Sequence, residues 1–273
     1  MKLGMLLRNS GPSSTAHTIA ACARAADEIG LDDLWTIDHI AIPPDDAEGS
    51  GGRYVDALAT LAFAAGVTQR VGLGVSVLVL PYRAALPTAK WVAAIQELSG
   101  GRLTLGVGAG WMAAEFKATG VAREHRGRIT DETLAFLHEC FANDIVTLRD
   151  QPFIFSPRPA RPPILVGGNG EHVLRRVVRY GDGWMPMSGD VEKLREPIRA
   201  LTQALAAAGK SAPQVVPLMQ LALASPDQAA AQLRDLAAIG VTGISHTARY
   251  ENVDEFARMA TALVAARQRA ELA

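Results

Sequence analysis

The sequence predicts a closed (β/α)8 barrel, an α/β fold of the TIM-barrel type, formed by a single domain over residues 1–273. Eight short apolar segments alternate with segments of helical periodicity, and strands separated by helices run parallel. Gly30, Gly181 and Gly240 each end a helix two to five residues before the next strand. The 273 residues, 49% of them hydrophobic, supply the core that a barrel needs, because barrels of about 250 residues fold as one unit.

The eight predicted strands are short and apolar, as expected of parallel strands that are covered on both faces. Their bounds are 3–7, 34–37, 71–80, 102–105, 164–166, 183–187, 215–223 and 243–246. The number of strands favours a closed barrel over an open doubly wound sheet.

The segments between the strands carry apolar residues at helical spacing, and several begin at residues that cap helices. The predicted helices are one capped within 13–15 and ending at Gly30, 54–65, 84–98, 115–120, 130–141, 171–181, one capped by Asp190, 225–240 and one opened by Asn252. Pro197 should kink or restart the helix that follows Asp190. Residues 144–155 are predicted to form a small hairpin inserted after the fourth strand. The Pro-, Asp- and Gly-rich residues 41–53 form a loop that could cover the strand ends.

The composition limits which kinds of partner and which cellular compartment are expected for this chain. A formal net charge of -1 gives no general attraction to nucleic acid or to acidic membranes, so small molecules are the expected partners. Cys22 and Cys140 form no Cys-x-x-Cys motif, which indicates a reducing compartment and no structural metal. The longest apolar stretch is far shorter than a membrane span, and the apolar run at residues 3–7 is too short for a signal peptide. We therefore expect a cytoplasmic protein.

Barrel enzymes carry their chemistry at the carboxyl ends of the strands. We therefore expect one mouth to be surrounded by Asn9, Asp38, His39, 76–80, 106–111, 167–170, 184–187 and His246. Histidine is the natural acid or base near neutral pH, and Asp38 could orient His39 or cap a loop. Neighbouring strand residues face opposite sides, which argues against a direct pair between them. Zinc-protease, serine-hydrolase and Walker motifs are absent from the sequence.

Two glycine-rich segments end predicted strands. Gly106, Gly108 and Gly110 alternate before Trp111, which occupies the position of the third glycine in the dinucleotide fingerprint. They allow either close approach of a flat or phosphorylated ligand or a tight barrel turn. The segment Gly167-Gly168-Asn169-Gly170 precedes a helix and could hold an anion or serve only as a turn. Arg175 and Arg176 could add charge there or face solvent. Three tryptophans near strand ends could flank a flat ring or only pack: Trp35, Trp111 and Trp184.

These motifs together resemble the bacterial luciferase-like flavin enzymes over nearly the whole chain. The resemblance is carried by LSGGRLTLGVGAGW at 98–111 with Glu115, Phe116 and Gly120, by PPILVGGNG at 162–170 and by YGDGW at 180–184. Asp38 and His39 after the second strand, with GVSVL at 74–78, are closer to the branch that uses the deazaflavin coenzyme F420. Met112 and Ala113 depart from the polar residues that relatives often carry.

The resemblance implies a luciferase-like TIM barrel with the cofactor across its mouth. It further implies that His39 donates or accepts a proton at the reactive ring, and that Ser76 and Val77 form a non-proline cis bulge beneath the ring. Segments 106–111 and 167–170 would contact the cofactor side chain and its phosphate, with Asp38 also at the cofactor. The expected function is hydride transfer between F420 and a small organic substrate. The alternatives are a monooxygenase using reduced FMN and oxygen, and a flavin-binding protein without turnover. Family habit suggests a homodimer.

Overall fold

The computed structural model describes residues 1–272. Its strands, in chain order, are β1 (Lys2–Leu6), β2 (Asp33–Thr36), β3 (Gly72–Val79), β4 (Leu103–Gly108), β5 (Ile145–Leu148), β6 (Gln151–Ile154), β7 (Ile164–Gly167), β8 (Gly183–Met185), β9 (Gln214–Val215), β10 (Leu218–Met219) and β11 (Gly243–His246). All except β5 and β6 pair in parallel in one curled sheet, in the order β10-β11-β1-β2-β3-β4-β7-β8-β9.

The ends of this sheet meet in one short segment of the chain. The amide of Thr242 donates to the carbonyl of Val215 at 3.0 Å, and the amide of Ser245 donates to that of Pro217 at 3.0 Å. The curled sheet therefore closes, which confirms the predicted barrel-type fold. The seventh strand was wrong in extent, because 215–223 contains only the end of β9 and the two residues of β10. Pro217 separates these pieces, since it has no N–H to donate to a ladder.

The helices follow the strands as predicted. They are α1 (Ala16–Ile29), α2 (Ala57–Ala65), α3 (Ala85–Leu98), α4 (Ala113–Thr119), α5 (Arg126–Ala142), α6 (Glu171–Tyr180), α7 (Val191–Ala207), α8 (Pro226–Ala238) and α9 (Val253–Arg269). The start of α2 lies later than predicted, because the Asp56 carboxylate accepts hydrogen bonds from the amides of Leu58 and Ala59. Pro197 lies inside α7, which continues on both sides of it, so a restart does not occur.

The insertion after the fourth strand is confirmed as an antiparallel hairpin. Ile145 pairs with Ile154 across β5 and β6, and the turn residues Arg149 and Asp150 have φ angles of 52° and 62°. Such left-handed residues match the twist of a two-residue hairpin turn. Among the described residues, no helix combines the length and apolar character needed to cross a membrane.

Trp35 fills the centre of the barrel. A Cβ atom at Gly4 would lie 2.2 Å from its Nε1, and one at Gly74 would lie 2.3 Å from its Cζ3. Only glycine fits on β1 and β3 at these positions. The buried indole packs with Leu165 and Met185, so Trp35 is a core residue rather than a ring-flanking residue of the mouth.

Candidate functional site

A cleft of about 430 Å³ opens at the carboxyl ends of β2, β3, β4 and β7. It brings together residues that lie far apart in the sequence, as a barrel mouth does. The predicted site residues that line it are Asp38, His39, Ser76, Val77, Gly108, Gly110, Trp111, Gly167, Gly168 and Asn169. Gly106 and Gly170 are not part of its lining. Gly106 lies within β4, where a Cβ atom would meet the carbonyl oxygen of Val75 at 2.1 Å, and Gly170 precedes α6.

An irregularity in β3 forms one wall of the cleft. The peptide bond between Ser76 and Val77 is cis, and the register between β3 and β4 shifts between Val75 and Leu78. The Val77 side chain lies between two neighbouring strands. A Cβ atom at Gly108 would lie 2.7 Å from its Cγ2, and one at Gly167 would lie 2.6 Å from its Cγ1. These glycines therefore make room for Val77, a reason that the glycine spacing alone does not reveal.

His39 projects into the cleft with 21% of its side chain exposed. Its ring centroid lies 5.1 Å from that of Tyr54 and 6.4 Å from that of Trp111. Its Nδ1 lies 3.2 Å from Oε2 of Glu115, an acidic residue in the first turn of α4 whose carboxylate is buried. His39 thus has one ring edge held by protein and the remainder of the ring in the cleft.

Besides its contact with His39, Glu115 accepts hydrogen bonds from three groups. The amides of Ile40 and Ala41 donate to Oε1 at 2.6 and 3.1 Å, and the Tyr82 hydroxyl donates to Oε2 at 2.9 Å. Burial acts to raise the pKa of Glu115, but the hydrogen bonds from Ala41, Ile40 and Tyr82, with His39 nearby, hold that pKa below its usual range. Burial, with the Glu115 carboxylate beside it, raises the pKa of Tyr82.

The sequence interpretation did not assign Glu115 to the site. The sequence does contain a feature that could have identified it, because Glu115 is an acidic residue in the first turn of the helix that follows a strand ending at the mouth.

Asp38 has a different set of partners from His39. Arg83 binds it bidentately, with Nη1 to Oδ2 and Nη2 to Oδ1 both at 2.7 Å, and the amide of Val79 donates to Oδ2 at 2.9 Å. The carboxylate is 1% exposed. Asp38 and His39 therefore form no direct pair, in agreement with the alternation argument, and Asp38 joins the end of β2 to the turn that follows β3.

Two cationic side chains line the cleft. They are Arg126 at the start of α5 and Arg176 on α6, the helix that follows the glycine-rich loop. Nε of Arg176 donates to Asp131 at 2.6 Å, and its side chain is 9% exposed. Within residues 1–272 Arg126 has no carboxylate partner and donates only to the carbonyl of Arg123. The sequence left open that Arg176 faces solvent, and this is wrong because its side chain is buried beside the cleft.

The remaining expected mouth residues serve the framework. Trp184 is buried and donates from Nε1 to the carbonyl of Gly168 at 2.7 Å, so it supports the glycine loop from below. The Asn9 amide bridges Ile37 and Val55. His246 is buried outside the cleft, and burial lowers its pKa to about 4.

Trp111 is 68% exposed and is the one predicted tryptophan that lines the cleft. Among the described residues, no group of three or more histidine, cysteine or acidic side chains could hold a metal ion.

Several known proteins align with most of the length of this chain. A Mycobacterium tuberculosis (strain ATCC 25618 / H37Rv) protein described as uncharacterized is 31% identical over 229 residues, covering 76% of this chain and 80% of that protein. An F420-dependent hydroxymycolic acid dehydrogenase from the same organism is 29% identical, with 80% and 62% covered. The 5,10-methylenetetrahydromethanopterin reductase of Methanolobus tindarius is 28% identical, with 85% and 69% covered.

Solved structures share the fold at low sequence identity. The monooxygenase RslO1 from Streptomyces bottropensis has a TM-score of 0.80 at 21% identity, with 97% of this chain and 98% of that chain covered. An F420-dependent secondary alcohol dehydrogenase has a TM-score of 0.79 at 14% identity, with 97% and 99% covered. The FMN-bound oxygenating constituent of 3,6-diketocamphane monooxygenase from Pseudomonas putida has a TM-score of 0.76 at 14% identity, with 97% and 96% covered. The family model described as luciferase-like monooxygenase matches residues 1–272, so this chain belongs to that family.

Proposed function

We propose that this protein is an oxidoreductase that transfers a hydride between coenzyme F420 and a small organic substrate, with His39 donating or accepting the accompanying proton. The observation that carries this proposal is the arrangement of the cleft. His39 follows β2 and the glycine-rich loop follows β7, and β3 with its Val77 bulge lies between these strands in the sheet. Arg126, which has no carboxylate partner within residues 1–272, lines the same cleft. Such an arrangement suits a planar ring with a phosphate-bearing side chain.

The residues present fit a deazaflavin. The Val77 bulge would support the ring, while Gly108, Gly110 and Trp111 would contact it or the start of its side chain. Gly168, Asn169, Arg126 and Arg176 would hold the phosphate, because an arginine without a carboxylate partner and the loop before a helix favour an anion. Met112 is buried and apolar and would give the side chain no side-chain hydrogen bond. When bound, F420 supplies a ring carbon that takes up or releases a hydride.

The chain's own residues would provide placement and proton transfer. His39 lies in the cleft with its Nδ1 edge against Glu115, which leaves the opposite edge for a substrate hydroxyl or carbonyl. Tyr54 and Trp111 flank the imidazole and would limit access of water to it. Holding the reacting groups at contact distance in a shielded site is the main protein contribution to such a reaction.

Relatives support F420 as the first choice of cofactor. One relative, at 29% identity, is named as an F420-dependent dehydrogenase, and one structural neighbour is an F420-dependent secondary alcohol dehydrogenase. The second candidate is a monooxygenase that uses reduced FMN and oxygen, supported by the family name and by the FMN-bound structural neighbour. A flavin-binding protein without turnover is the third candidate.

Titration of the purified protein with F420 and, separately, with FMN tests the proposal, with absorbance and fluorescence as readouts. Tight binding of F420 and weak binding of FMN is the expected result. The reverse preference would support the monooxygenase. Binding of F420 without turnover across alcohols, ketones and imines would support the binding protein, and binding of neither would reject all three candidates.

A further inference from the structure

The hydrogen bonds around Glu115 leave no acceptor position free. An ionised carboxylate offers about four lone-pair sites and donates nothing. The amides of Ile40 and Ala41 use Oε1, while Tyr82 and Nδ1 of His39 use Oε2. Glu115 is 1% exposed, so no solvent competes for these positions. Its carboxylate can satisfy all four neighbours only if each of them is a donor.

This requirement decides where neutral His39 carries its hydrogen. A neutral imidazole has one N–H and one lone pair, and the group that binds one nitrogen sets the state of the other. Nδ1 must carry the hydrogen in order to donate to Oε2, which lies 3.2 Å away. Nε2 then presents its lone pair. The lowered pKa of Glu115 agrees with this distribution, because it keeps the carboxylate ionised.

We propose that Glu115 is a positioning residue that makes Nε2 the atom of His39 that exchanges the proton. The first part, the tautomer, rests on the hydrogen bonds alone, whereas the catalytic part rests on the proposed function. For a hydroxyl substrate, the C–H bond breaks and its electron pair leaves as the hydride taken up by F420, the C=O bond forms, and the hydroxyl proton passes to Nε2. The reverse reaction returns that proton from Nε2 to the oxygen.

Glu115 also connects His39 to the loop over the mouth. Ile40 and Ala41, whose amides it accepts, directly follow His39 and lead into residues 42–53. The same carboxylate therefore holds the imidazole and the start of the loop in one arrangement. Movement of this loop at Ile40 and Ala41 would also disturb the contact that sets the tautomer.

The variant Glu115→Gln tests the proposal with little change of shape. Its amide oxygen is expected to keep accepting from Ile40 and Ala41, because the amide NH2 cannot face two N–H donors. The NH2 group then points to Nδ1 of His39 and donates to it. His39 must therefore change to the tautomer with hydrogen on Nε2, which removes the lone pair that the reaction needs.

Long-range 15N–1H spectra of histidine-labelled protein, recorded without cofactor on the neutral imidazole, report the tautomer. We expect the Nδ1–H form in the natural protein and the Nε2–H form in Glu115→Gln. In Tyr82→Phe the Nδ1–H form should persist, because Glu115 still accepts from His39. A natural protein with the Nε2–H form, or an unchanged tautomer in Glu115→Gln, would overturn the proposal.

Kinetics of the F420-loaded enzyme test the catalytic part. With the wrong tautomer, kcat should fall about 10²- to 10⁴-fold while KM changes less than about twofold. Asp27→Asn is the matched control, because Asp27 also accepts several backbone amides, those of residues 69–71, at the amino end of β3. It should change neither tautomer nor kcat. A changed tautomer with unchanged kcat would overturn the role of Nε2. Absence of F420 turnover in the natural protein would instead reject the proposed function, and the spectra would still test the tautomer.

Discussion

Two acidic residues at the mouth of the barrel have separate tasks that follow from their partners. Asp38 is bound by Arg83 and by a backbone amide, so both of its oxygens are committed to joining β2 to the turn after β3. Glu115 is bound by His39, a tyrosine and two amides. Arg83 therefore balances the buried charge of Asp38, whereas Glu115 holds one edge of the His39 imidazole and leaves the other edge free in the cleft.

Removal of the His39 side chain should separate catalysis from binding. In His39→Ala, kcat should fall about 10²- to 10⁴-fold, the usual contribution of a positioned acid or base, while the Kd for F420 changes little. Stopped-flow absorbance gives the rate, and fluorescence titration gives the Kd. His17 is exposed on α1, and His17→Ala is the matched control. A loss of F420 binding with normal kcat at saturation would contradict the role of His39.

His246 should make stability depend on pH. Burial lowers its pKa in the folded state to about 4, whereas the unfolded chain has the ordinary value of 6.5. The unfolded state therefore binds the proton more readily between these values, so stability is fully present above pH 6.5 and is lost as pH falls toward 4. The full window corresponds to about 3 kcal/mol. Urea unfolding at several pH values should show a smaller slope in His246→Asn, and an equal slope would contradict the assignment.

Among the secondary-structure elements, β3 decides the shape of the site. Its irregularity at Ser76 and Val77 moves a side chain between β4 and β7, and both neighbouring strands carry glycine opposite it. The glycine-rich strand ends are thus part of a packing arrangement around Val77. The cleft wall depends on three strands together and on none of them alone.

Gly108→Ala should disturb this arrangement. The added Cβ would lie 2.7 Å from Cγ2 of Val77, so Val77 must move, and overpacking of this kind costs about 1–3 kcal/mol. Affinity for F420 should fall as well. The double variant Gly108→Ala with Val77→Ala should recover part of the lost stability, measured by urea unfolding. Additive losses in the double variant would show that Gly108 and Val77 do not interact.

Arg83→Met should destabilise the connection between β2 and β3. The Asp38 carboxylate is 1% exposed and would remain without its cation, and breaking a buried pair in this way costs about 3–5 kcal/mol. Urea unfolding measures the loss. Arg128→Met removes an exposed i,i+4 pair with Glu132 and should cost less than about 0.5 kcal/mol. Similar losses in both variants would contradict the importance of burial.

For the whole molecule, large apolar side chains remain exposed on two packed helices. Phe63 on α2 and Trp91 on α3 are 42% and 45% exposed. α2 packs against α3, and an exposed apolar patch shared by two elements is typical of an interface. We predict a homodimer formed through this surface. Sedimentation should give twice the chain mass of 28.9 kDa, and Phe63→Glu with Trp91→Glu should give the monomer mass. A natural protein that sediments as a monomer would contradict this prediction.

The sequence by itself determined the barrel. Alternation of apolar strands with helices and the hairpin at 144–155 were predicted correctly, because they depend on local periodicity and on the rule that helices connect parallel strands. The prediction erred where a local residue overrode the apolar pattern, as Pro217 does in the segment predicted as the seventh strand.

Only the tertiary structure decided how the mouth is assembled. Glu115 lies 76 residues from His39 in the chain, and Arg83 lies 45 residues from Asp38. Neither pairing leaves a periodic signal, because each depends on the register and closure of the strands between the partners. The resemblance implied the bulge at Ser76 and Val77, but the packing of Val77 against Gly108 and Gly167 follows only from the tertiary structure. Local pattern sets where the strands end, and packing sets which side chains line the mouth and which of them touch.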